Sequence, residues 1–128
     1  MAKRILQIVE SAYRATLEEQ DDTVVWIVQA MKGAGAAQAL LLRGNAVNYA
    51  ARGQDASGLA FGDKRQTQPP RVEADLTRLV SEGVTVGYVA EDAAERGLAA
   101  ADLIEGVKAV RARDLPATLE QYDQVWHW

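Results

Sequence analysis

The sequence contains no cysteine among its 128 residues, and this absence excludes several kinds of chemistry. Without a thiol the chain cannot carry a persulfide, form a disulfide, or bind zinc or an iron–sulfur cluster through thiolates. An oxidising compartment would find no cysteine to cross-link, so we expect a cytoplasmic protein. A single histidine, His127, cannot build an all-histidine site, and we expect neither a metal nor a cofactor.

Basic clusters and long hydrophobic runs are also missing. The net charge is −4 and the pI is near 5.0, and the basic residues form scattered pairs rather than a stripe. This charge argues against nucleic acid or an anionic membrane surface as the main partner. The first apolar run, residues 5–9, stops at Glu10. It is too short for a signal-peptide core or a membrane span, so we expect neither.

Short apolar runs alternate along the chain with segments whose apolar residues have helical spacing. Continuous apolar runs are typical of strands that are covered on both faces. Strands that alternate with helices imply βαβ crossovers and a mainly parallel sheet of about five strands. We therefore predict a three-layer α/β/α fold, with a single domain over residues 1–128. The predicted strands span residues 4–9, 38–42, 84–89, 107–110 and 124–128.

Capping residues, prolines and glycines mark the predicted helices. Asp21 and Asp22 supply an N-cap for the first helix, whose apolar face lies within residues 24–31. Pro69 and Pro70 are expected to start a later amphipathic helix, because proline costs least in the first turn. The remaining predicted helices span residues 46–52, 90–97 and 99–105, with a last one capped by Asp114 and carrying Pro116 in its first turn.

One long stretch, residues 54–68, has no predicted helix or strand. A loop of about this length is uncommon in a compact domain and is usually functional, disordered or covered by a partner. It carries Leu59 and the sole phenylalanine, Phe61, which are poor residues to leave in water. We expect these two side chains to contribute to an interface.

The segment 83–98 is the part of the chain around which the fold is organised. A buried strand, residues 84–89, turns through Ala90-Glu91-Asp92 into a short helix that Gly97 ends. This pattern of strand, polar turn, small-residue helix and Arg-Gly-Leu, followed by an acidic segment closing on Gly-Val, resembles the DsrE/DsrF-like family of small sulfur-relay proteins. The Gly-Asn-Ala-Val turn after the second strand and the closing apolar strand agree with the same family.

The resemblance implies a function that the missing cysteine modifies. The family's sulfur-carrying cysteine would fall on Val89 or Asp92, and neither is cysteine. Some subunits of the family's hetero-oligomers lack this residue and serve structurally, and family members commonly form trimers or hexamers. The resemblance therefore implies a non-catalytic assembly or binding subunit linked to sulfur trafficking, without catalytic residues of its own. It also implies a homo-oligomer and a sulfur-relay protein as a possible partner.

Polar residues follow several predicted strands and form a candidate ligand site. The carboxyl ends of parallel strands share one sheet edge, where α/β proteins place their sites. Carboxylates at a helix N-terminus also satisfy free N–H groups, worth roughly 0.3–1 kcal/mol, and this structural interpretation competes with the first. A closed pocket would favour a ligand-binding protein or an enzyme that uses carboxylates; full exposure would favour capping. The candidate residues are Glu10, Ser11, Asn45, Glu91, Asp92 and Arg96.

Two tryptophans stand near the end of the last predicted strand. Alternation puts Trp126 and Trp128 on one face and Val125 with His127 on the other. Large aromatic side chains grouped on one face need cover, which a neighbouring subunit would supply. The alternative is that the loop 54–68 folds back over them within one subunit.

Overall fold

A computed structural model describes residues 3–13, 22–55 and 58–128. Five of its strands form one parallel sheet in the order β6-β5-β2-β1-β7, and two short strands form a separate antiparallel hairpin, β3-β4. In chain order the strands are β1 (Arg4–Val9), β2 (Ala37–Leu42), β3 (Ala60–Phe61), β4 (Lys64–Arg65), β5 (Thr85–Val89), β6 (Lys108–Val110) and β7 (Gln124–His127).

Helices cover both faces of the sheet. The α-helices are α1 (Thr23–Gly33), α2 (Val72–Ser81), α3 (Ala90–Glu95) and α4 (Leu115–Leu119), and three 3-10 segments span Gly44–Ala50, Ala100–Asp102 and Ala112–Asp114. This architecture confirms the predicted α/β/α fold. Within the described ranges, none of the helices is both long enough and apolar enough to span a bilayer.

Alternation along the central strands builds two separate cores. One face of the sheet packs against α1, α2 and the 3-10 segment Gly44–Ala50. The fully buried side chains of this core include Leu42 from β2 and Leu76 and Leu79 from α2. The opposite face packs against α4 through side chains such as Leu6 and Leu41. Fully burying a leucine is worth about 1.5–3 kcal/mol, so both faces of β1 and β2 hold the sheet to its helices.

Asp22 caps α1 as the sequence predicts. Its Oδ1 accepts hydrogen bonds from the N–H groups of Val24 (2.9 Å) and Val25 (3.1 Å), which would otherwise lack partners at the helix start. Asp21, the other half of the predicted cap, lies outside the described residues.

Three helix predictions are wrong at their boundaries. Pro69 and Pro70 precede α2 rather than start it, because the helix begins at Val72. The segment predicted as a helix over residues 46–52 is a 3-10 helix that begins and ends two residues earlier. The helix predicted over residues 99–105 is one 3-10 turn, because Leu103 forms an antiparallel bridge with Ala51 and draws the chain into an extended conformation.

The final predicted helix also differs in its start. A 3-10 turn, Ala112–Asp114, leads directly into α4, and Asp114 has helical dihedral angles. An N-cap side chain needs an extended backbone to reach back to the helix, so Asp114 makes no capping bond. Pro116 does lie in the first turn, as predicted.

Candidate functional site

The sheet places the predicted site residues along its carboxyl edge, as the parallel topology requires. Glu10 follows β1, Asn45 lies in the 3-10 segment after β2, and Glu91 and Asp92 lie in α3 directly after β5. The structure does not gather all of them into one cluster. Instead it divides all of them except Ser11 among separate groups of hydrogen bonds and ion pairs, which link neighbouring elements of the fold.

Asp92, Asn45 and Arg96 form the tightest of these groups. The Asp92 Oδ2 atom accepts a hydrogen bond from the Gly44 N–H at 2.7 Å. The Arg96 guanidinium donates to the Asn45 Oδ1 from both Nε (3.1 Å) and Nη2 (2.9 Å), and to the Asp92 main-chain carbonyl from Nη1 (3.0 Å). Together these bonds fasten the start of the 3-10 segment to α3.

The spacing of Asp92 and Arg96 suggests an i, i+4 carboxylate–guanidinium pair, and this interpretation is wrong. The carboxylate turns to Gly44 while the guanidinium turns to Asn45. Both side chains leave the helix surface because the loop after β2 offers each a better-aligned partner. The contact between Arg96 and Glu95, at 3.8 Å, is an ion pair with an exposed carboxylate and contributes little stability.

Glu91 and Asp92 also do not cap α3. The N-cap residue is Val89, and Glu91 and Asp92 lie inside the first turn, where they face neighbouring loops instead of the free N–H groups of their own helix. The Glu91 Oε2 atom accepts from the Ala112 N–H at 2.8 Å and so ties α3 to the segment after β6. Their negative charges still lie at the favourable end of the helix dipole.

Glu10 belongs to a separate group at the β1–β7 side of the edge. Its Oε1 atom lies 2.8 Å from Arg43 Nε and 3.2 Å from His127 Nε2. All three side chains are substantially exposed, so these contacts contribute little stability. Ser11 is exposed and makes no side-chain hydrogen bond to the described residues.

A buried group that the sequence analysis missed lies at the N-terminus of α1. The hydroxyl of fully buried Tyr49 donates to Asp22 Oδ2 at 2.5 Å and accepts from the Tyr13 N–H at 2.5 Å. The rings of Tyr13 and Tyr49 pack edge to face with centroids 4.9 Å apart. No spacing in the sequence signals this group, because its members come from three separate elements.

Burial dominates the electrostatics of this tyrosine pair. Burial, the hydrogen bond to Asp22 and the charge of that carboxylate raise the pKa of Tyr49 far above its usual value of about 10. Burial also raises the pKa of Tyr13. Both hydroxyls therefore stay protonated at neutral pH, and Tyr49 acts as a structural donor.

The acidic residues of the sheet edge, Glu10, Glu91 and Asp92, each bond to a neighbouring segment. Over residues 3–13, 22–55 and 58–128, no group of three or more histidines and acidic residues could hold a metal ion. Two cavities of about 260 and 330 Å³ are lined by other residues. The smaller lies at the amino edge of the sheet beside Arg4 and Tyr122, and the larger lies beside Tyr88.

The hydrogen bonds of Arg96 lead to a stability prediction. Replacing Arg96 by alanine removes two bonds to Asn45 and one to a main-chain carbonyl, in a partly exposed setting. We expect the free energy of unfolding to fall by about 1–2 kcal/mol, measured by urea unfolding. Asn45→Ala should cost about as much, and the double variant little more than either. Fully additive losses would contradict the pairing.

The residues predicted to form an interface are largely accessible. Phe61 is 67% exposed and Leu59 38%, so the β3-β4 hairpin leaves its apolar side chains in solvent. Trp128 is 45% exposed, and its indole N–H donates to Gln7 Oε1 at 2.8 Å. Trp126 is half-buried and lies in register with Gln7, so both tryptophans share one face of the sheet.

The sequence analysis also missed an exposed tryptophan. Trp26 is 58% exposed on the outer side of α1. The buried positions of that helix are Val24, Val25 and Val28, and position 26 points away from them at 100° per residue. A helical projection of the sequence carries this signal.

Comparison with known proteins identifies the fold. No family model matches the chain, and no curated protein is significantly similar to it. The YchN protein from E. coli superimposes with a TM-score of 0.77 at 19% identity, covering 98% of this chain and 99% of its own. MTH1491, a protein of unknown function from Methanobacterium thermoautotrophicum, gives 0.67 at 13% identity, covering 97% and 98%. BT1422, a conserved protein of unknown function from Bacteroides thetaiotaomicron, gives 0.66 at 14%, covering 97% and 94%. All three have a DsrE-like fold, which this chain shares.

Proposed function

We propose that this chain is a cysteine-free relative of the DsrE/DsrF-like sulfur-relay proteins. In this proposal it is a cytoplasmic binding or assembly subunit, not a carrier of sulfur. The observation that carries the proposal is the structural hydrogen bond made by Asp92. Position 92 is one of two positions where the resemblance places the sulfur-bearing cysteine. Its carboxylate is hydrogen-bonded to the Gly44 N–H at 2.7 Å and braces the loop after β2.

The other position supports the same conclusion. Val89 is 3% exposed and packs in the core on the α4 side of the sheet, so a side chain there has little access to a partner protein. A carboxylate at position 92 cannot accept sulfane sulfur, because persulfide transfer requires a thiolate nucleophile. Both positions have structural roles here, in a fold shared with the three solved neighbours.

The alternative, an enzyme that uses carboxylates at the sheet edge, gains no support from the geometry. General acid–base work needs a carboxylate aimed at a space that a substrate can enter. Asp92 and Glu91 instead accept main-chain N–H bonds from Gly44 and Ala112, and Glu10 pairs with Arg43. These bonds connect loops.

The first test restores a thiol. The 128-residue chain should gain no mass when incubated with glutathione persulfide, whereas Asp92→Cys should gain one sulfur atom. In that step the introduced thiolate attacks the terminal sulfur, a new S–S bond forms, and the glutathione thiolate leaves. The Gly44 N–H that now binds the carboxylate would stabilise the attacking thiolate. Intact-mass spectrometry, before and after a reducing agent, gives the result.

Val89→Cys is the matched control, because its thiol would be buried and should react far more slowly. Sulfur on the unmodified chain would refute the non-carrier proposal. If Asp92→Cys stays unmodified while an exposed cysteine introduced elsewhere on the chain reacts, the correspondence of position 92 with the family's cysteine is wrong.

We further propose that the chain assembles into a homo-oligomer, a trimer or hexamer by family resemblance, with a sulfur-relay protein as a possible further partner. The hairpin that carries Leu59 and Phe61 and the face that carries Trp126 and Trp128 supply the contacts. Monomers rarely leave such apolar side chains in contiguous exposed patches, and aromatic residues are enriched at interface centres. The exposure of Phe61 argues that the hairpin does not use this side chain to cover the tryptophans.

Light scattering at micromolar concentration should give a multiple of the 13.9 kDa chain mass. Phe61→Ser should lower that mass, since burying a side chain of this size is worth about 1.5–3 kcal/mol at each symmetric contact. Trp26→Ser is the control, as Trp26 is similarly exposed but lies on α1. A monomeric mass would refute the oligomer, and loss of assembly in Trp26→Ser alone would move the interface to α1.

A further inference from the structure

A groove of about 330 Å³ lies between β5 and the chain segment that leads into β6. None of the predicted site residues lines it. Its volume is within the range of about 300–1,000 Å³ that small-molecule sites occupy. Its lining combines apolar side chains with two charges and one hydroxyl. The residues that matter for binding are Arg52, Tyr88, Leu103, Ile104, Glu105 and Val107.

Tyr88 gives the groove a hydroxyl group that has no hydrogen-bond partner among the described residues. Tyr88 is only 8% exposed and packs against the core on the α2 side of the sheet. The Tyr88 hydroxyl makes no hydrogen bond to any described residue, yet it is not sealed away from solvent. Tyr88 is also one of the residues that line the groove. A tyrosine hydroxyl in this position can both donate to a ligand and accept from it.

Main-chain bonds fix the part of the lining that contains Leu103 and Ile104. The Ile104 N–H donates to the Ala50 carbonyl at 2.8 Å, and Leu103 forms an antiparallel bridge with Ala51. Leu103 and Ile104 are each 5% exposed and pack in the core, so they give the groove a fixed apolar lining. A preformed groove avoids much of the entropic cost of ordering a site on binding.

The two charged side chains in the lining have opposite signs. The Arg52 guanidinium donates through Nη2 to the Ala101 carbonyl, which holds it beside the groove, and its other N–H groups make no bond to a described residue. Glu105 is an exposed residue of the lining segment that also contains Leu103 and Ile104. A ligand with one carboxylate alone would meet repulsion from Glu105, and an amine alone would meet repulsion from Arg52.

We propose that this groove binds a small zwitterion of the amino-acid class with an apolar side chain. The Arg52 guanidinium binds the carboxylate, Glu105 binds the ammonium group, and the Tyr88 hydroxyl bonds to one of them. Leu103, Ile104 and Val107 contact the apolar side chain. The groove shares no residue with the two candidate sulfur positions or with the predicted interface, so the proposal goes beyond the function proposed above.

Three probes that share one aromatic ring test the charge requirement: L-phenylalanine, 3-phenylpropionate and phenethylamine. We titrate each into ¹⁵N-labelled full chain and follow amide chemical shifts. L-Phenylalanine should give saturable shifts concentrated in residues 103–107. Each of the other probes lacks one charge and should bind at least about fivefold more weakly. Tyr88→Phe, which keeps the buried ring, should weaken L-phenylalanine binding about fivefold, and Arg52→Gln about tenfold or more.

Matched variants outside the groove are Tyr122→Phe and Arg113→Gln, and both should leave the affinity unchanged. The same spectra show whether each variant is folded. Absence of saturable shifts with L-phenylalanine overturns the proposal. Equal binding by phenethylamine overturns the charge assignment, and unchanged affinity in both Tyr88→Phe and Arg52→Gln shows that the probe binds elsewhere.

Discussion

Replacing Gly106 by alanine should lower the free energy of unfolding by about 2–5 kcal/mol. Gly106 has a φ angle of +95°, which costs an L-residue about 1–2 kcal/mol. A Cβ atom at this position would also lie 2.5 Å from Val80 Cγ1, closer than real contacts permit. Valine cannot swing its branched side chain away, so α2 or the segment before β6 must shift, at about 1–3 kcal/mol.

Gly35→Ala separates the two contributions. Gly35 has nearly the same φ angle, +92°, but no atom lies within 4 Å of an added Cβ. The free energy of unfolding of Gly35→Ala should therefore fall only by the cost of the backbone conformation, about 1–2 kcal/mol. Urea unfolding of the two variants side by side gives the difference. Equal losses would show that the approach of Gly106 to Val80 is not tight.

Tyr49→Phe should destabilise the protein by about 2–4 kcal/mol while keeping the ring packing. The substitution removes the donor to the Asp22 carboxylate and the acceptor of the Tyr13 N–H. Hydrogen bonds to charged groups contribute about 1.5–3 kcal/mol, and an unpaired buried partner adds to the loss. Tyr13→Phe is the control, because among the described residues that hydroxyl bonds only to Gln54 Oε1, in an exposed position, and its loss should cost at most about 1 kcal/mol.

The raised pKa of Tyr49 also predicts a pH dependence. Below about pH 10 this tyrosine is protonated in both states, and its contribution to stability is fully present. Above about pH 10 the unfolded chain releases the proton while the folded chain keeps it, so stability falls as pH rises. The urea midpoint should therefore fall less between pH 8 and pH 11 in Tyr49→Phe than in the unmodified chain. An equal fall would place the alkaline sensitivity in other groups.

The sequence predicted the sheet well because continuous apolar runs leave few alternatives. The run that ends at Val9 and the run that ends at Leu42 are buried on both faces, as parallel central strands require. Helix ends were harder, since they depend on contacts between distant segments. The bridge between Ala51 and Leu103, which limits the predicted helix over 99–105 to one turn, has no signal in local sequence.

At the candidate site, too, the sequence predicts where residues lie in the fold but not which atoms they bond to. Parallel strands place Glu91 and Asn45 at one edge, and this could be inferred from element order alone. Which atoms meet there depends on loop paths that local spacing does not encode. The i, i+4 rule predicts a pair between Asp92 and Arg96 because it considers an isolated helix. In the folded chain the Asp92 carboxylate binds the Gly44 N–H instead, and the Arg96 guanidinium binds the Asn45 side chain.

The pairing of β1 with β7 has a consequence for how the chain folds during synthesis. The Arg4 N–H bonds to Asp123 Oδ2, 119 residues later in the sequence, and Ile5 lies in register with Gln124. Until β7 leaves the ribosome, one edge of β1 has no neighbouring strand, and unpaired edges invite association with other chains. The entropy of closing so long a loop is recovered only when the final strand docks. We therefore expect nascent chains that stop before Gln124 to be held by chaperones, with the sheet completed only after translation has passed this strand.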